Sequence, residues 1–161
     1  MPDETNQVLI TNWLERALLS DAGGSGFLFD AVEIAEAATL SRHFEAARLA
    51  TKLNEASHRI LSRIYFPVCV ARVLGECSAL FGDYRQARAH YAKSFKVCER
   101  LRLRPEFALT RLDLAELFLA HYTDERDAAI EHLDFAISEF REIKMQPSLE
   151  RALRHRGLLK A

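Results

Sequence analysis

Leu74-Gly75-Glu76-Cys77-Ser78-Ala79-Leu80-Phe81-Gly82-Asp83-Tyr84-Arg85-Gln86-Ala87-Arg88-Ala89-His90-Tyr91 decides the reading of this chain. Apolar residues recur three and four apart on both sides of Gly82-Asp83, which is the period of a helix face and not of a strand. Gly82 is a helix stop and Asp83 an N-cap candidate for the helix that follows. The stretch is therefore the end of one helix, a tight turn and the start of a second.

The pattern returns on either side. Ile34-Ala35-Glu36, Leu74-Gly75-Glu76 and Leu114-Ala115-Glu116 stand 40 residues apart. Phe44 and Ala47 precede Tyr84 and Ala87 by the same interval. Ala87, Tyr91, Ser94, Phe95, Cys98 and Leu101 are answered by Ala129, Leu133, Ala136, Ile137, Phe140 and Ile143 at 42, because the turn around Tyr122 to Asp127 is two residues longer. Self-similarity at this period implies stacked helix pairs, each burying its apolar face on its neighbour. We expect an all-α chain with helices at about 5–20, 27–40, 43–62, 66–81, 84–103, 105–121, 125–144 and 147–160. Ala22-Gly23-Gly24-Ser25-Gly26 separates a leading segment, 1–26, from a repeat domain, 27–161. The units of that domain are about 27–66, 67–104 and 105–146, with a closing helix at 147–160. Leu149, Ala152, Leu153, Leu158 and Leu159 give that helix one face to bury, so a natural end near Ala161 is expected.

Leu74-Gly75, Gly82-Asp83-Tyr84, Ala87 and Tyr91 resemble the tetratricopeptide repeat, with small residues where helices cross and aromatics between them. The 40-residue period resembles the longer variant in C-terminal parts of bacterial signalling ATPases and transcriptional activators and of multidomain nucleotide cyclases. The resemblance implies a right-handed superhelical array of antiparallel helix pairs, and a noncatalytic recognition module in a bacterial signalling or transcription-regulating protein. The first unit departs from the pattern, with Thr51 and Asn54 where larger apolar and small residues are expected.

In such an array the first helix of each pair lines a concave groove. Glu36, Glu76 and Glu116 recur there as an acidic ladder, with Arg72 one turn before Glu76. Phe29, Val32, Cys69, Leu80, Leu109, Leu112 and Leu119 are the expected apolar floor. Together they suit a basic or amphipathic protein segment. Pairing of Arg72 with Glu76 inside one helix is the plain alternative for that position. A small-ligand sensor using the same groove, and a homodimer using the Trp13 helix or the closing helix, are the other functional readings.

Composition bounds these readings. The chain has 161 residues, 49% hydrophobic and 28% charged, which is globular usage. A formal net charge of −1 argues against a dedicated nucleic-acid domain. The balance is uneven along the chain: residues 1–40 sum to −6, 83–104 to +5 and 141–161 to +4. Cys69, Cys77 and Cys98 form no metal or disulfide spacing, which fits buried thiols in a reducing cytoplasm. No apolar run approaches a membrane span. His43, His58, His90, His121, His132 and His155 include no HExxH, so no metal, cofactor or catalytic role is expected. His121-Tyr122 and Glu131-His132 read as helix-surface pairs.

Overall fold

The computed structural model describes residues 60–62 and 67–158, which are all-α apart from one short ribbon. The ribbon pairs β1, Ile60–Ser62, antiparallel with β2, Pro67–Cys69, in the register Ile60 with Cys69, Leu61 with Val68 and Ser62 with Pro67. Five α-helices follow among the described residues: α1 Val70–Leu80, α2 Tyr84–Leu101, α3 Arg104–His121, α4 Arg126–Glu142 and α5 Gln146–Leu158. A 3-10 turn, Thr123–Glu125, fills the longer connection before α4. The expected helices before residue 60 lie outside the described residues.

Two helix edges differ from the sequence reading by three residues or more. Residues 60–62 are strand and not the end of a helix, and α1 starts at Val70 and not at 66. Strand pairing explains the second difference: Pro67 to Cys69 pair with Ile60 to Ser62, and a proline, which has no N–H for the ladder, is tolerable at the first residue of a strand. Cys69 is still extended (φ −83°, ψ 109°) where it caps α1.

The chain divides into two compact units, residues 1–93 and 94–161. In the first, α1 buries Val70, Val73, Leu74 and Cys77, and the start of α2 buries Ala87 and Tyr91. Gly75 is the point of closest approach: a Cβ built on it would stand 2.4 Å from the Tyr91 ring. The glycine of the opening stretch is there because its partner helix carries a tyrosine.

In the second unit α3 packs on α4, and α5 on both. Ala108, Leu112, Ala115, Leu133, Ala136, Phe140 and Ala152 are fully buried. One polar pair lies in this core: the Ser94 hydroxyl donates to Thr110 Oγ1 at 2.8 Å, and Thr110 donates to the Glu106 carbonyl at 2.7 Å. Each buried oxygen thus has a partner, as burial requires. Ala87, Tyr91, Ser94 and Cys98 are buried, and so are Ala129, Leu133, Ala136 and Phe140, each 42 residues on.

The helix ends share one device. After α1, α2 and α4 the chain takes a left-handed residue, Gly82 (φ 80°), Arg102 (φ 54°) or Lys144 (φ 59°). Asp83, Leu103 and Met145 then reach back by N–H to the carbonyls of Ser78, Cys98 and Phe140 at 2.9–3.0 Å. These are Schellman turns, and two are made without glycine. Asp83 caps α2 as its sequence implies, its Oδ1 accepting from the Gln86 N–H at 2.9 Å.

Candidate functional site

The groove residues fall into separate groups. Phe29, Val32 and Glu36 lie outside the described residues. In the first unit Cys69 has no exposed surface and sits on β2, so it is core and not floor. Arg72 is buried and donates to Glu76 Oε1 at 2.9 Å, the pairing along one helix that the spacing allowed. Leu80 is half-buried.

In the second unit Leu112 is fully buried and belongs to the core. Leu109, Glu116 and Leu119 are half-buried. Their spacing of seven and three places them along one side of α3. Glu116 is already engaged by α5. Arg151 donates to both its oxygens, with Nε to Oε1 at 2.8 Å, and reaches Asp113 Oδ1 at 3.0 Å. His155 Nε2 lies 2.8 Å from Glu116 Oε1. The carboxylate thus faces a guanidinium, which is the chemistry expected of it, but the guanidinium comes from this chain's own helix. A forked guanidinium on a carboxylate is the strong form of such a pair.

A second cluster was not foreseen. Arg111 of α3 lies among three phenylalanine rings, its Cζ 4.5 Å from the centre of Phe135, 5.2 Å from Phe107 and 5.6 Å from Phe95. Phe107 is edge-on to Phe135 at 5.6 Å. Arg111 Nη1 donates to His132 Nδ1 at 3.1 Å, and His132 stacks on Phe95 at 6.1 Å. Arg111 Nε is buried without a hydrogen-bond acceptor, so at that atom ring faces take the place of water. Burial first, and then the Arg111 charge, push the His132 imidazole down to about pH 4 from its ordinary 6.5. It is neutral, and so can accept from Arg111. Burial likewise lowers Arg111, against the opposing pull of Glu99 and Glu131.

His132 is therefore no helix-surface residue. The i,i+4 step from Phe107 to Arg111 and the i,i+3 step from His132 to Phe135 are visible in the sequence. That four aromatic rings and one guanidinium from three helices meet is not. His132 is half-buried, whereas His90 is buried, accepting from Gln86 Nε2 at 3.2 Å, and its pKa is lowered, chiefly by burial.

The outer pairs join helix ends. Arg104 at the start of α3 binds Glu139 through Nε at 2.9 Å and Glu142 at 2.7 Å. Arg156 of α5 forks onto Asp134 of α4 at 2.7 and 3.1 Å. Two of the cations at 141–161, Arg151 and Arg156, are thus opposed by carboxylates of other helices. Among the described residues no helix is long and apolar enough to cross a membrane. No protein family, curated protein or solved structure matches this chain.

Proposed function

We propose that this chain is a tetratricopeptide-like recognition module, a superhelical array of helix pairs that binds a basic or amphipathic protein segment along its first helices. The observation that carries the reading is the half-buried side of α3, where Leu109, Glu116 and Leu119 stand on a helix whose other residues are mostly buried. A preformed apolar and acidic surface loses little conformational entropy on docking. The shared burial of Ala87, Tyr91, Ser94 and Cys98 with their counterparts 42 residues on supports the repeat register. Placement in a bacterial signalling or transcription-regulating protein of the cytoplasm rests on the resemblance of Leu74-Gly75, Gly82-Asp83-Tyr84, Ala87 and Tyr91 alone.

On this reading Arg151 and His155 hold Glu116 until a partner's basic group replaces them. Capture from a bacterial lysate, comparing the native chain with Glu36→Gln, Glu76→Gln and Glu116→Gln combined, tests it. The native chain is expected to retain a partner that the triple variant loses while its circular dichroism is unchanged. Equal capture by both excludes the acidic groove as the recognition surface.

A further inference from the structure

Arg72, Arg104, Arg151 and Arg156 each meet a carboxylate at 3.0 Å or less. Arg111, half-buried where α2, α3 and α4 come together, does not. Its Nη1 is spent on the uncharged His132, and its Nε is buried without an acceptor. Among the described residues nothing accepts from its Nη2, and no carboxylate stands within ion-pairing distance. Glu99 and Glu131, both exposed, act on the guanidinium only from further away. A cation drawn out of water is costly unless an anion meets it. The phenylalanine rings offset part of that cost through their faces. The rest of the charge is uncompensated.

The surroundings of this cation are apolar and open on one side. Phe135, the ring nearest the guanidinium at 4.5 Å, is 36% exposed, and Phe95 and Phe107 are half-buried. Phe107 and Arg111 lie about 140–180° around α3 from Glu116, so the cluster is separate from the acidic groove. We propose that Arg111 receives the carboxylate of a small organic acid whose apolar body lies on Phe135. Nη2 carries two hydrogens, and Nη1 keeps one beyond that given to His132, which is enough to hold one carboxylate. A phosphate, with three acceptor oxygens and up to twice the charge, would find no donor on Phe95, Phe107 or Phe135 and stronger repulsion from Glu99 and Glu131. His132 acts as a positioning residue: it holds Nη1 without adding charge of its own. The proposal needs neither the repeat register nor the groove, so its test is independent of the capture experiment.

The test is titration of the isotope-labelled full chain with phenylacetate, phenylacetamide and inorganic phosphate, read by nuclear magnetic resonance at the side chains of Arg111, His132 and Phe135. A hydrogen bond from a charged donor partly shielded from water should set the acid about tenfold or more tighter than its neutral amide. The shifts should centre on Arg111, and phosphate should leave them unmoved. Arg111→Met places an apolar chain of similar length among the rings and should bring acid and amide to equal affinity. Failure of the acid to bind at millimolar concentrations, equal binding of acid and amide by the native chain, or an acid preference that survives Arg111→Met overturns the proposal. So do shifts centred on Arg104 or Arg151, or phosphate binding at Arg111 in preference to the acid. The comparison of acid with amide is made on the native chain, so it decides the matter even where the variant does not fold.

Discussion

Gly75 shows how one residue fixes a helix crossing. Its missing side chain is the space that the Tyr91 ring occupies. Ala115 and Leu133, 40 and 42 residues further on, are a larger first residue and a smaller second one, and both are fully buried. Gly75→Ala should therefore cost about 1–3 kcal/mol through overpacking, against a gain of up to about 1 kcal/mol in helix propensity. Tyr91→Leu alone should leave a cavity costing a few kcal/mol. The double variant should recover about 1 kcal/mol or more relative to the sum, which a double-mutant cycle by urea denaturation reads directly. Strict additivity would mean that the two residues do not share the crossing.

His132 makes a prediction of its own. The unfolded chain takes up this proton near pH 6.5, the folded chain only near 4. Between those values the unfolded state binds more protons, so stability is complete above about 6.5 and declines as the pH falls toward 4. With about half of the full effect screened by solvent, the loss is roughly 1–2 kcal/mol. His90, lowered in the same direction, adds to it. Urea midpoints from pH 7 to 4.5 should fall less steeply in His132→Gln, which keeps an acceptor for Arg111 but does not titrate.

At the scale of elements, the helix ends carry a cost that the sequence hid. Gly82 marks a left-handed turn plainly, whereas Arg102 and Lys144 adopt the same turn with a Cβ that opposes it. The reading of α2 to residue 103 and of α4 to 144 overran for that reason: nothing in Arg or Lys announces a stop. Lys144→Gly and Arg102→Gly should each raise stability by about 0.5–1 kcal/mol, and Gly82→Ala should lower it by about 1 kcal/mol, as shifts of the urea midpoint without a change in slope. The start of α1 teaches the converse. Pro67 is compatible with the first turn of a helix, but pairing with Ile60–Ser62 claims the segment for a strand, a contact seven residues away in sequence that local propensity does not contain.

At the scale of the molecule, the hydrophobic period and the punctuation by Gly82-Asp83, Pro105 and Pro147 made the helices from α1 to α5 legible, because each depends on neighbours within two turns. The candidate site was less so. Leu109, Glu116 and Leu119 share a half-buried side of α3, but Cys69 and Leu112 went into the core, since a helical wheel shows which residues share a side and not which neighbour covers it. The charge asymmetry along the chain is a fact of composition; the structure adds that Arg104, Arg151 and Arg156 are each committed to carboxylates on another helix. Sequence alone determined the all-α class of the helical residues 70–158 and marked Gly75 as a small residue where a helix could cross, because short-range periodicity and residue size encode both. Only the tertiary structure decided that Glu116 is held by α5 and that Arg111 and His132 form one aromatic cluster, because each depends on side chains brought together from separate helices.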